Sequence, residues 1–132
     1  MNFSLTVKSA PDTPAHLLGI QVCESLILNG HKITQIFFYE SAVYAASSLL
    51  LPDQDEVNVT HRWQTLAKKH QTKLYVCVAA ASRRGIVDSD EAKANDLPHS
   101  NLADHFEIAG LGQWVETLAL PVDEDSEKLL TF

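Results

Sequence analysis

Between Lys73 and Ala79 the chain runs Leu74-Tyr75-Val76-Cys77-Val78, a near-continuous apolar stretch without polar alternation. A strand of this kind has no face for solvent. It belongs in the middle of a sheet covered on both sides, the usual condition of a parallel sheet. The flanking segments fit that frame. Phe3–Ser9 alternates and is rich in β-formers, Lys32–Tyr39 carries Ile33, Ile36, Phe37 and Phe38, and Glu127–Phe132 reads as a closing strand. Helical stretches lie between them. Thr13 is placed to cap a helix that has Pro14 at its first position and runs to about Leu28, where Asn29-Gly30 ends it. Ile20, Cys23 and Ile27 form its apolar stripe. Ser41–Leu51 reads as helical until Pro52, and Thr60 reads as the cap of a helix through His70 with Trp63, Leu66 and Ala67 on one face. Ala79–Arg84 is a turn or the start of a helix, broken at Gly85, and Asp88–Ala94 is a further short helix. Gly110–Leu120 is amphipathic, with Leu111, Trp114, Val115 and Leu118 at helical spacing. Strands alternating with helices predict an α/β fold. The expectation is a single domain over residues 1–132, with a mostly parallel sheet of about five strands, helices on both faces and right-handed crossovers. In such sheets reactive groups collect just beyond the carboxyl ends of the strands.

Charge narrows the class of partner. The formal net charge of the 132 residues is −7, which suits a chain poorly for neutralising phosphates, so direct nucleic-acid binding is not expected. The basic cluster Lys68-Lys69, with Lys73 beyond it, reads as a solvated helix face. No apolar run approaches the ~20 residues needed to span a bilayer. Met1-Asn2-Phe3-Ser4-Leu5 lacks the basic start and long apolar stretch of a signal peptide, so the expectation is a soluble, cytoplasmic protein without membrane association. Asp55 and Glu56 read as part of a solvated acidic loop.

Two cysteines are present, Cys23 and Cys77, with no CxxC and no zinc-ligand spacing. Six histidines (His16, His31, His61, His70, His99 and His105) form no HxH or HxxxH pair, so no metal is expected. Gly110-Leu111-Gly112 is too short and too late in the chain for a dinucleotide fingerprint, so nucleotide binding is not expected. Cys23 sits mid-helix on an apolar stripe and reads as structural. Cys77 is different. It lies near the carboxyl end of the central strand and is followed by the small residues Ala79-Ala80-Ala81-Ser82, then Arg83 and Arg84. If that segment opens a helix, its free N–H groups favour a thiolate over a thiol, and the arginines add positive charge. Small neighbours leave room for a second sulfur. Cys77 is thus either a small core hydrophobe or a nucleophile for sulfur exchange, with Ser82, Arg83 and Arg84 as its supporting residues. His99 and His105 lie in the loop-rich stretch after this strand and are the histidines placed to approach it.

The block Tyr75-Val76-Cys77-Val78-Ala79-Ala80-Ala81-Ser82-Arg83-Arg84-Gly85-Ile86-Val87-Asp88 resembles the active-site segment of the TusD/DsrE family of sulfur-relay proteins. Gly30-His31, Ile36-Phe37-Phe38-Tyr39-Glu40, Val43-Tyr44, Asp55-Glu56, Trp63-Gln64, Asn101-Leu102, Phe106, Gly110-Leu111-Gly112 and Leu129–Phe132 follow the family in order and spacing. The chain departs from it at Ala10–Pro14, which lacks a Tyr-Gly pair, and at Ser41-Ala42, where relatives carry a Gly. The resemblance implies a DsrE-like fold, no cofactor, and a sulfurtransferase in which Cys77 carries a persulfide. It implies a heterohexamer with two related small subunits of the TusB and TusC type. A TusA-like carrier would donate the sulfur and a TusE-like protein would accept it, ending in 2-thiolation of the tRNA wobble uridine. Sulfur oxidation of the DsrE type, or a non-catalytic assembly role in the same fold, are the alternatives.

Overall fold

The computed structural model describes residues 1–118 and 128–132. Five strands, β1 (Asn2–Val7), β2 (Lys32–Phe38), β3 (Lys73–Cys77), β4 (Phe106–Ala109) and β5 (Lys128–Thr131), form one sheet in the order β4-β3-β2-β1-β5. Every pairing is parallel. The helices are α1 (Pro14–Leu28), α2 (Val59–His70), α3 (Val78–Arg83), α4 (Ser89–Ala94) and α5 (Leu111–Leu118). Residues 119 and 120 of the expected last helix, and Glu127 of the expected last strand, lie outside the described residues.

The sheet has two covered faces because β2 is apolar on both. Phe38 meets Trp63 of α2 edge-on, with ring centroids 5.3 Å apart, while its neighbour Phe37 stacks on Trp114 of α5 at 5.0 Å and 11°. Successive strand side chains point to opposite faces, so α2 and α5 lie on opposite sides of the sheet. Gly19 lets α1 approach the sheet closely: a Cβ there would stand 3.3 Å from the Phe132 side chain. One polar link runs through this core. His16 and Trp63 are both fully buried, and the Trp63 indole N–H donates to His16 Nε2 at 2.9 Å. An indole N–H can only donate, so Nε2 must carry no proton. Nδ1 therefore bears the hydrogen and donates it to the Ser9 carbonyl at 2.8 Å. Burial, partly opposed by that backbone bond, holds the His16 pKa below its ordinary 6.5.

Four local expectations are corrected. Ser41–Leu51 is not an α-helix. A 3₁₀ segment, Glu40–Ala46, stops at Ser47 because tertiary backbone bonds capture the chain: Ala103 N–H donates to the Ala46 carbonyl at 2.7 Å, and Ser48 N–H to the Asn101 carbonyl at 2.8 Å. The cap of α2 is Asn58, whose side chain accepts from His61 N–H, whereas Thr60 turns inward and donates to the Ala45 carbonyl at 2.7 Å. Val78 belongs to α3 and not to the strand before it. In α5, Trp114 is buried but Leu111 and Val115 are exposed, so its apolar stripe is narrower than the spacing suggests. Thr13 does cap α1, accepting from His16 N–H, and Asp88 caps α4, accepting from Glu91 N–H at 2.8 Å.

Candidate functional site at the carboxyl edge of the sheet

Cys77 is the last residue of β3 and the N-cap of α3, with extended backbone angles (φ −60°, ψ 121°). The junction is abrupt because Val78 starts the helix directly, so the thiol stands where strand becomes helix. Its side chain makes no capping hydrogen bond. The residue is 4% exposed, and Ala80 and Ala81 behind it are buried. Across the sheet Cys77 pairs with Ala109 of β4, another small residue. Tyr75 shares its face two positions earlier and pairs with Phe37. Phe37, Tyr75, Ala109, Gln113 and Trp114 enclose a small cleft of about 50 Å³ on that face. From its helical spacing alone Trp114 reads as a packing residue. Period-two counting back from Cys77 reaches Tyr75, but nothing local announces Phe37 or Gln113 as its neighbours.

The carboxyl-edge expectation thus places Cys77 correctly among the strands, yet not at the point where the strand order reverses. That point lies between β1 and β5, whereas Cys77 is on β3.

The supporting candidates fall at the other end of α3. Arg83 is exposed in its last turn, and Arg84 is the C-cap, its Nη1 donating to the Ala80 carbonyl at 3.1 Å. Cations there complement the negative end of the helix dipole. Ser82 is exposed, and its hydroxyl donates to Glu91 Oε2 of α4 at 3.3 Å. A helix of six residues spans ~9 Å, so the backbones of Arg83 and Arg84 stand roughly that far from Cys77. Gly85, at φ +74°, then reverses the chain, and Asn101 fastens the turn by accepting from Val87 N–H and donating to the Gly85 carbonyl.

The histidines do not gather at the thiol. His105 immediately precedes β4, whose first residue pairs with Leu74 and whose last pairs with Cys77. His105 therefore sits at the amino edge of the sheet, a strand-length of ~10 Å or more from the carboxyl edge. His99 is exposed in the loop before that strand. Cys23 is fully buried in α1, and its thiol is pushed up to about 12, first by burial and then by the neighbouring Glu24 charge. It is held as a core residue. Asp53, Asp55 and Glu56 are exposed together, and repulsion, chiefly from Asp53, raises the Glu56 pKa. Among the described residues no three His, Cys, Asp or Glu side chains are grouped to hold a metal, and no helix is long and apolar enough to cross a membrane.

Comparison with known proteins gives this edge a context. The model of the DsrE/DsrF-like family matches residues 1–122. A sulfurtransferase TusD homolog of Aliivibrio fischeri is 48% identical over 94 residues, which is 71% of this chain and 72% of that protein. The sulfurtransferase TusD of Cronobacter sakazakii is 38% identical over 117 residues, 88% of this chain and 91% of that one. A putative sulfurtransferase DsrE of Allochromatium vinosum is also 38% identical over 117 residues, covering 88% and 90%. The crystal structure of the ychN protein from E. coli superposes over 100% of both chains with a TM-score of 0.71 at 20% identity, a likeness of fold. With the family model matching nearly the whole chain and relatives this similar along most of their length, the protein belongs to the DsrE/DsrF-like family.

Proposed function

We propose that this chain is a sulfurtransferase subunit that carries sulfur as a persulfide on Cys77. The observation that supports the reading most is the position of Cys77. It is a thiol at a strand–helix junction, on the carboxyl edge of a parallel sheet, with small side chains around it, in a chain whose relatives are named sulfurtransferases. In the proposed step the Cys77 thiolate attacks the outer sulfur of a donor persulfide. A new S–S bond forms on Cys77, the donor's S–S bond breaks, and the donor leaves as a thiolate. An acceptor thiolate then attacks the outer sulfur and Cys77 leaves in turn. Neither step needs an external oxidant or reductant, because each exchanges one sulfur–sulfur bond for another. Ala80, Ala81 and Ala109 put little side-chain bulk around the added atom, and the 4% exposure of Cys77 implies that the donor reaches it as the edge opens. Ser82 and Arg83, exposed at the carboxyl end of α3, and the half-buried Arg84 that caps it, are available to an incoming protein.

The remaining parts of the reading follow from the same resemblance. The chain works in the cytoplasm, in a heterohexamer with two related subunits of the TusB and TusC type. It takes sulfur from a TusA-like carrier and gives it to a TusE-like acceptor, in tRNA wobble-uridine 2-thiolation. The acidic balance favours delivery through proteins over direct contact with tRNA. A DsrE-type sulfur-oxidation relay is the second reading, favoured by the Allochromatium relative at the same identity as the Cronobacter one.

The test is intact-mass spectrometry after incubation with a persulfurated donor. The wild type should gain one sulfur, and Cys77→Ser should gain none, because an alcohol is a far weaker nucleophile towards sulfur at neutral pH. Sulfur retained on folded Cys77→Ser protein would refute the assignment.

A further inference from the structure

On the face of the sheet away from α5, α1 and α2 run side by side and leave a groove of about 480 Å³ between the last two turns of α1 and most of the length of α2. Its floor is aliphatic: Ile27, Leu28 and Leu66 line it, and Leu28 is 86% exposed, a large side chain left bare in water. Its rim is basic. Arg62, Lys69, His61 and His70 border it, and Glu24 is the sole carboxylate in the lining. Glu24 is already engaged, since Arg62 clamps it through two bonds, Nε to Oε1 at 3.1 Å and Nη2 to Oε2 at 2.6 Å. Lys69 and the adjacent Lys68 are exposed to solvent. This local sign is opposite to that of the chain, with its 17 acidic against 10 basic residues. Offsetting the dipole of α2 explains cations in its last turn. It does not explain a bare leucine beside them.

We propose that this groove docks an acidic, amphipathic segment of a partner protein, with aliphatic side chains seated on Ile27, Leu28 and Leu66 and a carboxylate paired with Lys69. Charge complementarity selects the occupant. The net charge of the chain is −7, and this lining has the opposite sign, which favours an acidic segment here. A phosphate backbone is the poorer fit, because it gains nothing from the aliphatic side chains and meets a chain of strongly negative net charge. Between Arg62 and His70 the groove extends along α2 for ~12 Å, about two helical turns. Its Lys69–His70 end is the carboxyl end of α2, which precedes β3 and so lies at the edge of the sheet opposite Cys77. A segment held here leaves the thiol uncovered.

The probe is a short acetylated peptide with leucines at helical spacing and glutamates at the other positions, titrated into the full chain labelled with 15N. Amide shifts should cluster at Ile27, Leu28, Leu66 and Lys69. Affinity should fall by about tenfold or more in Lys69→Glu and in Leu28→Ser, both changes of exposed side chains, while sulfur loading of Cys77 in the same variants stays as in wild type. Shifts that are absent or map elsewhere would overturn the proposal. Equal binding of the same peptide with lysines in place of glutamates would do so too. Displacement of the peptide by an RNA oligonucleotide would reassign the groove to phosphate. Self-association lost in Lys69→Glu would reassign it to the chain's own acidic stretch around Asp53, Asp55 and Glu56.

Discussion

Acidification should weaken this fold through His16 in a window that can be worked out from its two hydrogen bonds. In the folded chain His16 is neutral: Nδ1–H is donated to Ser9, and Nε2 accepts from Trp63. A proton on Nε2 would set two N–H donors against each other inside the core, where Phe38 and Trp63 are the ring neighbours and neither can accept the charge. The folded-state pKa is accordingly below the ordinary 6.5. Above that value neither the folded nor the unfolded His16 is charged, and the contribution to stability is complete. As pH falls below it, the unfolded chain takes up a proton that the folded chain refuses. Stability is then lost at about 1.4 kcal/mol per pH unit, until the folded-state pKa is reached and the loss stops. With a urea m-value near the middle of the ~1–3 kcal/mol/M range, the unfolding midpoint should drop by about 0.7 M per pH unit. The measurement is the difference between wild type and His16→Gln, whose amide has no proton to gain, so that everything common to the two proteins cancels. Urea titrations followed by circular dichroism from neutral pH downwards supply it. Parallel midpoint-against-pH curves for the two proteins, or a wild type that gains on the variant in acid, would refute the reasoning.

Three further outcomes follow from single sites. Cys23→Ser should cost about 1–3 kcal/mol, because the hydroxyl would replace a fully buried thiol, and it should leave sulfur uptake by Cys77 intact; denaturant midpoints and intact mass check the two halves separately. Trp63→Phe should also cost about 1–3 kcal/mol beyond the lost packing, since His16 Nε2 would keep no donor, and thermal unfolding measures it. Gln71→Gly should raise stability by up to about 1 kcal/mol, because Gln71 ends α2 at φ 56°, a left-handed geometry that glycine adopts without strain; a lowered melting temperature would contradict this.

What could be read before any coordinates was set by how local each signal is. Pro14 to Gly30 is one such case: the cap, the apolar stripe and the glycine stop all act within a turn or two, and the helix is where they put it. The position of Cys77 was legible for the same reason, an apolar strand breaking into a run of small residues. Strand β4 was not assigned a place because Phe-Glu-Ile-Ala is four residues with an acid in the middle. Its backbone is satisfied by pairing with β3, some thirty residues earlier in the chain. The helix expected after β2 failed where Ala46 and Ser48 found partners at Ala103 and Asn101, again far along the chain. The His16–Trp63 bond joins residues 47 apart and has no sequence signature at all.

The same distinction bears on the candidate site. Cys77 is found by its own strand, but what stands beside it comes from elsewhere: Ala109 of β4 across the sheet and the small residues of α3, with the cleft of Phe37, Tyr75, Gln113 and Trp114 further along the same face. The basic residues nearest to it in sequence are carried to the far end of α3, where Arg84 closes the helix through the Ala80 carbonyl. Proximity along a chain is therefore a poor guide to which charges a thiol meets once strand turns into helix. Each helical residue adds ~1.5 Å of distance, and only long-range strand pairing brings new groups back alongside. Arg83 is exposed in the last turn of α3, at the end away from Cys77. On the proposed function its charge would act in the encounter with a donor and not at the thiol itself. Arg83→Ala should then slow loading at low donor concentration, with little change in the rate at saturation.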